Sequence, residues 1–330
     1  MEIVRIGKQV PLIGCIGFGV IDRGTNLLQV RASSACNLKC PFCSTNAGNE
    51  DVHPVNYIVD KDHMVNWVKR VVEYKGVDDV EVNFDTVGEA LTYPDFVDLV
   101  KEVSKIKGVY RISMQTNGVL LTTGLFKKLE KYLTRINLSL HSLDFDKARE
   151  LSGCRSYDLD KILNLIKLIS ESKVELLIAP VWMKGVNDED IKELIKFSKE
   201  TKSRIGVQNY EKYKYGRRMK GIKLINFWKF YRELEGLEKE FGVKLKLNSG
   251  DFKFRKVKRV PRSFSKGDVV RGEVVFSGWL KGQKVIKVVD KGDWFDSRVV
   301  SVIDCSAEVG ELIRVKILEN KNEIYVGKKV

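Results

Sequence analysis

Short apolar, β-branched runs recur through the first two thirds of the chain, at Leu27 to Arg31, Val80 to Phe84, Tyr110 to Gln115, Ile136 to His141, Val174 to Val181 and Ile205 to Gln208. Runs this short, with little polar alternation, predict strands covered on both faces. Between them apolar residues return at helical spacing in Lys61 to Tyr74, Asp95 to Lys105, Leu125 to Tyr132, Asp158 to Ser170 and Asp188 to Lys199. Alternating strands and helices predict an α/β fold with parallel strands and right-handed crossovers. Six such units suit a partial (β/α)6 TIM-type barrel better than a flat sheet, and in either the chemistry belongs at the C-terminal ends of the strands.

The pattern changes in the last quarter. A helix is expected over Leu224 to Phe241, and Lys253 to Arg262 then places six bases among ten residues, with a proline near the end. From Lys266 short alternating strands take over, at Val269 to Phe276, Lys284 to Val289, Arg298 to Ile303, Leu312 to Leu318 and Glu323 to Val326. Five such strands separated by Gly, Asp and Asn fit a small OB-like β-barrel. The expected organisation is therefore an N-terminal extension over 1–26, the partial barrel over 27–209, a basic helical extension and linker over 210–262, and the β-barrel over 263–330.

Composition narrows the class. With 43% hydrophobic and 31% charged residues the chain reads as a soluble globular protein. No apolar run approaches the roughly 18 residues of a membrane span, and the start lacks the plan of a signal peptide, so the expectation is a cytoplasmic protein with no membrane partner. The net charge of +14 is unevenly spread: residues 1–200 carry 27 bases and 28 acids, residues 201–262 carry 19 and 6, and residues 263–330 carry 12 and 10. A basic stretch following an enzyme-like core points to an anionic partner as well as to a merely solvated face.

The six cysteines do not form a disulfide framework; three are gathered in Cys36-Asn37-Leu38-Lys39-Cys40-Pro41-Phe42-Cys43, directly after the first predicted strand. Three thiolates at this spacing can hold three corners of a cubane cluster and leave one iron open, whereas a structural zinc site closes with four ligands. Zinc, with His53 or Cys154 as fourth ligand, is the alternative that spacing leaves open. Gly14-Cys15-Ile16-Gly17-Phe18-Gly19 does not open a predicted helix, which argues against a phosphate loop.

The triplet, Phe42 included, resembles the signature of the radical S-adenosylmethionine (SAM) superfamily. Val87-Gly88-Glu89 is similar to that superfamily's Gly-Gly-Glu segment, with valine for the first glycine, and Thr116-Asn117-Gly118, Ser139 to Ser142 and Pro180 to Asp188 resemble its later strand ends. The resemblance implies a 4Fe-4S cluster on Cys36, Cys40 and Cys43. It also implies S-adenosylmethionine bound by Phe42, Glu89, Asn117, Ser139 and Arg149, and a 5′-deoxyadenosyl radical as the reactive species. Read as plain residues, Glu89 also suits a turn cap, Arg149 a helix surface and His141 a buried strand. Residues 263–330, through Lys266-Gly267-Asp268 and Asn322 to Gly327, resemble the TRAM domain of tRNA-modifying enzymes, with Trp279, Trp294 and Phe295 as stacking candidates. Tyr210 to Arg218 would then lie along the RNA.

The whole chain resembles archaeal-type relatives of the tRNA methylthiotransferases, but before the triplet it has only Cys15 where those enzymes carry a second cluster domain. The implied function is a radical SAM transferase modifying a tRNA base by methylthiolation, sulfur insertion or methylation. Its partners would be tRNA and an electron donor such as ferredoxin or flavodoxin, with Cys154 as a catalytic thiol activated by Arg155. The alternatives are a radical maturase of a peptide or small molecule, and a zinc-containing RNA-binding protein without enzymatic activity.

Overall fold

The computed structural model describes residues 1–289 and 297–330 and divides into two compact units. One comprises Met1–Cys36, Ala47–Arg111 and Arg255–Val330; the other comprises Asn37–Asn46 and Ile112–Phe254. These units cut across the four segments expected from the sequence.

The first unit opens with β1 (Glu2–Ile6), β2 (Gly19–Asp22), β3 (Leu27–Arg31), β4 (Val55–Val59), α1 (Lys61–Lys75), β5 (Val80–Phe84) and α2 (Phe96–Ser104). Strand β1 pairs in parallel with β4, β2 antiparallel with β3, and β3 in parallel with β5. Every residue of β5 is buried, as a strand covered on both faces requires. Helix α1 starts where the Asp60 carboxylate accepts from the His63 amide at 2.8 Å and stops at Gly76, whose φ of 63° ends the helix in the left-handed region.

The second unit is α/β: β6 (Val109–Thr116, of which 112–116 belong to this unit), α3 (Thr123–Leu129), β7 (Arg135–Leu138), α4 (Phe145–Ser152), α5 (Leu159–Ser170), β8 (Glu175–Ile178), β9 (Val181–Trp182), α6 (Asp188–Glu200), β10 (Arg204–Ile205), β11 (Gln208–Asn209) and α7 (Phe227–Phe241). Strands β6, β7, β8 and β10 lie side by side in that order, all parallel. The single strand expected over Val174 to Val181 is interrupted at Ala179-Pro180, where proline has no amide hydrogen to continue the ladder. The shorter parallel pair β9 and β11 follows.

The C-terminal part of the first unit is the expected small barrel, built from β12 (Val269–Ser277), β13 (Lys284–Val288), β14 (Val299–Ile303), β15 (Leu312–Glu319) and β16 (Val326–Lys329). It closes in the order β12-β13-β14-β16-β15, with only β14 and β16 parallel. The last strand begins later than its apolar pattern suggests. Asn322 and Glu323 take φ of 56° and 58°, so that stretch is a turn rather than extended chain.

Within this unit the barrel packs on the residues expected to be an N-terminal extension. The Val299 amide donates to Ile13 O at 3.0 Å and the Tyr325 amide to Gly14 O at 2.9 Å. A Cβ on Gly14 would stand 1.9 Å from Val299 O, so the glycine-rich segment is a packing joint. Trp279 is buried against His53, ring centroids 3.9 Å apart, which corrects the expectation of a base-stacking face there and removes His53 as a zinc ligand. Trp294 and Phe295 lie outside the described residues.

The basic run after Phe252 is also largely engaged internally. Lys75 and Asp22 form a buried ion pair at 2.8 Å, and the other Asp22 oxygen accepts from the Val260 amide at 2.8 Å. Arg255 grips Asp79 with two bonds of 2.8 and 2.7 Å, Lys258 sits 3.7 Å from the Tyr74 ring centre, and Arg259 and Arg262 face the buried Glu323 at 3.5 and 3.8 Å. The stretch from Arg255 to Arg262, at the end of the expected basic extension and linker, is thus a seam of the first unit. Removing one partner of a buried pair strands the other charge, so Lys75→Met is expected to lower the unfolding free energy by about 3–5 kcal/mol; urea titration by circular dichroism checks this, and an unchanged midpoint would contradict it.

Candidate active site

Cys36 ends the first of the three stretches of the first unit, and Cys40 and Cys43 stand in the second; all are half-buried and none is in a disulfide. In the first unit, the Glu89 amide donates to Ala35 O at 2.8 Å, and a Cβ on Gly88 would lie 2.1 Å from the same oxygen. The Val87-Gly88-Glu89 turn is thus held one residue before Cys36. Glu89 is buried, and its carboxylate also caps the following turn by accepting from the Leu91 amide at 3.1 Å.

In the second unit the cysteine loop is turned by a bond of 3.2 Å from the Cys43 amide to Cys40 O and is clasped from two sides. At the end of α4, Ser152 O accepts from the Lys39 amide at 3.2 Å, and a Cβ on Gly153 would stand only 2.2 Å from Lys39 O. From the segment after β11, the Arg217 amide donates to Cys43 O at 2.8 Å and its guanidinium to Cys40 O at 3.3 Å. A Cβ on Gly216 would lie 2.9 Å from Ser44 O. Phe42 is buried with Leu151, Met183 and Tyr210, which corrects the placement of Tyr210 along an RNA.

Phe42 also meets His141 edge-on, centroids 4.8 Å apart. The His141 Nδ1 accepts from the Val181 amide at 3.1 Å, so the ring proton is on Nε2; enclosure of the ring pushes its pKa down to about 4, and it stays neutral near pH 7. Asn117 donates to Asn37 Oδ1 at 2.8 Å, beside the loop, and the Ser139 hydroxyl accepts from Gln115 Nε2 at 2.9 Å. Arg149 is on the exposed surface of α4, paired with Asp146 at 3.4 Å. Cys154 follows the Gly153 contact directly, its sulfur 3.3 Å from the Ser156 hydroxyl.

Comparison with known proteins decides the family: the description of the radical SAM superfamily matches residues 30–198. The chain belongs to the radical SAM superfamily. An uncharacterized protein of Methanocaldococcus jannaschii, MJ0103, is 36% identical to it over 355 residues, covering 99% of this chain and 80% of the relative. The GTP 3′,8-cyclase of Aquifex aeolicus is 30% identical over 179 residues, 54% of each chain. Among solved structures, Streptococcus suis SuiB superposes with a TM-score of 0.50 at 24% identity, covering 64% of this chain and 46% of SuiB. The enzyme anSMEcpe with bound AdoMet gives 0.51 at 23%, covering 65% and 57%. The chain therefore spans about half the length of the cyclase and of SuiB.

The cofactors of this radical SAM protein are a 4Fe-4S cluster and S-adenosylmethionine. Its residues fit the cluster. Three free thiols are available, the Cys40 and Cys43 carbonyls are occupied by Arg217 so that the loop backbone is fixed, and the guanidinium adds a cation beside an anionic centre. Among the described residues no three His, Cys, Asp or Glu side chains converge to hold a single metal ion; thiolates on three different irons do not require such convergence. When bound, the reduced cluster supplies the electron that cleaves S-adenosylmethionine.

The contacts of Gly153, Gly216 and Arg217 with the cysteine loop were not expected from the sequence, which placed Arg217 along an RNA; its amide and guanidinium hold the loop instead. Gly153→Ala is expected to push the loop away and leave purified protein with a small fraction of the normal iron, its helical circular dichroism intact. Gly236→Ala, on the exposed face of α7 with no heavy atom within 4 Å of the new Cβ, should keep full iron. Equal iron in both variants would contradict the clasp.

Proposed function

We propose that the protein modifies a base of tRNA by methylation, sulfur insertion or methylthio transfer. In this reading residues 27–209 are a six-unit partial barrel, 210–262 a basic helical extension and linker whose part from Lys212 to Arg232 faces the RNA, and 263–330 a TRAM-like barrel. The observation that carries it is the segment after β11. Its Gly216 and Arg217 clasp the cysteine loop, while Lys212, Tyr213, Lys214, Tyr215 and Arg218 beside them are exposed. Between Glu211 and Lys223 there are six bases and one acid. The strip continues onto α7, where Phe227, Trp228 and Tyr231 are exposed and Arg232 covers the Trp228 ring at 4.5 Å. Exposed aromatics interleaved with cations bind single-stranded nucleic acid by stacking and phosphate neutralisation.

In the same reading Phe42, Glu89, Asn117 and Ser139 bind the methionine and ribose of S-adenosylmethionine, with an electron supplied by a ferredoxin or flavodoxin in the cytoplasm. Arg149 joins them on opening its pair with Asp146, and Cys154, beside the loop, receives or passes on the transferred group. The zinc-containing RNA-binding alternative gives way to superfamily membership, whose metal group is an iron-sulfur cluster. The small-molecule alternative is favoured by one observation: the identity with GTP 3′,8-cyclase, an enzyme named for a nucleotide substrate.

Anaerobic protein incubated with unmodified tRNA, S-adenosylmethionine and a reductant is expected to yield a modified nucleoside by mass spectrometry. Reversing Lys212, Lys214 and Arg218 to Glu should weaken tRNA binding at least about tenfold and flatten its salt dependence, because fewer counterions are released, while cofactor cleavage persists. In the same assay Cys154→Ala should cleave the cofactor and yield no modified nucleoside. Wild-type tRNA affinity in the charge-reversed protein would contradict the RNA reading, and normal product from Cys154→Ala would return that thiol to packing.

A further inference from the structure

The inner face of the parallel strands in the second unit carries a cavity of about 240 Å³ that no residue of the cysteine loop lines. A cavity of roughly 150 Å³ already admits benzene, so this one takes a larger flat ring. Leu177, Leu234, Leu245 and Leu247 make its sides apolar, and Phe252 and Tyr231 add aromatic surface. Tyr231 is 43% exposed and its ring lies nearly parallel to that of Phe227, 6.2 Å away, so the mouth of the cavity adjoins the aromatic part of the strip on α7.

Its polar side chains are three carboxamides, of Gln115, Asn137 and the exposed Gln208, besides the Tyr231 hydroxyl, and the first two are half-buried neighbours on the sheet. Gln115 on β6 and Asn137 on β7 are partners in the strand register, so their side chains stand next to each other on one face. The orientation of Asn137 follows from its neighbour: Arg135 Nε donates to its Oδ1 at 3.0 Å, and a guanidinium has nothing to accept with. The Asn137 amide nitrogen is therefore turned away from Arg135, and among the described residues it donates to no protein atom. Gln115 gives its amide nitrogen to the Ser139 hydroxyl at 2.9 Å, and among the described residues its carbonyl oxygen accepts from none. An apolar slot thus offers one unused donor beside one unused acceptor. Nucleobases are flat and carry adjacent donors and acceptors on their edges.

We infer that this cavity is a recognition pocket for a nucleobase, held flat between the leucines and Tyr231, with its edge paired to Asn137 and Gln115. The inference deepens the reading of the substrate as a nucleic-acid base and rests on it. A base reaches the pocket either on a free nucleotide or turned out of a strand lying on the Lys212 to Arg232 strip.

The test is binding to the full chain, purified anaerobically, with no turnover required. Adenosine, guanosine, cytidine and uridine monophosphates and a short single-stranded RNA are titrated by equilibrium dialysis. At least one nucleotide or the RNA is expected to bind, with Asn137→Asp weakening it at least about tenfold, because the acceptor for Arg135 is kept while the donor is replaced by a charge. Gly206→Val should weaken it similarly by filling the slot; its Cβ meets Leu177 and Leu247 at an ordinary 3.5 Å. Circular dichroism and iron content control for folding in both variants. RNA binding far tighter than any mononucleotide identifies a strand as the source, and comparable binding identifies a free nucleotide. No binding of either probe, or binding that both folded variants retain, would overturn the inference. Because tRNA modification is scored separately, its presence with an empty pocket would leave the proposed function standing and remove only this site.

Discussion

The position of the cysteines depends on a contact between backbones that only glycine permits. Lys39 O and the ideal Cβ position of Gly153 are 2.2 Å apart, far inside any van der Waals contact. Gly153 sits at φ 62°, in the left-handed region that also terminates α4. One residue therefore stops a helix and lets its end touch the cluster loop. Gly216 makes a gentler version of the same approach from the opposite end of the unit's sequence, and Arg217 then fixes two carbonyls of the loop. Cys154 and the basic strip lie beside the cysteines because they flank these two glycines in the chain.

The first unit is organised around a different constraint. Lys75 and Asp22 are both buried, and burying an ion pair costs more than the pair returns unless the remaining hydrogen bonds are made. They are made by Thr25 O at 2.8 Å and the Val260 amide at 2.8 Å. This fixes the basic run from Arg255 to Arg262 along α1 and β2 instead of leaving it free. The positive charge available to an anionic partner is correspondingly concentrated in the second unit, between Lys212 and Arg232.

The α/β alternation was legible because buried parallel strands and amphipathic helices carry strong local patterns; β3 and β5 begin and end as expected, and α1 extends one residue further. The cysteine spacing was legible because it is contiguous. Strands β2 and β4 were not, since they are only four and five residues long and β2 directly follows a glycine-rich stretch. Charge composition could not distinguish Arg255, held by Asp79 from far along the chain, from Lys212, which is exposed. Nor could aromatic content show that Trp279 would be spent on His53. Gly216 and Arg217 read as part of a basic stretch because what they touch, the cysteine loop, is more than 170 residues away in sequence.

The central claim is that this clasped loop carries a cluster with one iron open to S-adenosylmethionine. Electron paramagnetic resonance of the anaerobic, dithionite-reduced full chain, recorded with and without S-adenosylmethionine and accompanied by iron and sulfide analysis, tests it directly. The account predicts the signal of a reduced 4Fe-4S cluster whose g-values shift when S-adenosylmethionine is added. A colourless protein containing zinc, or a cluster signal that S-adenosylmethionine leaves unchanged, would contradict it.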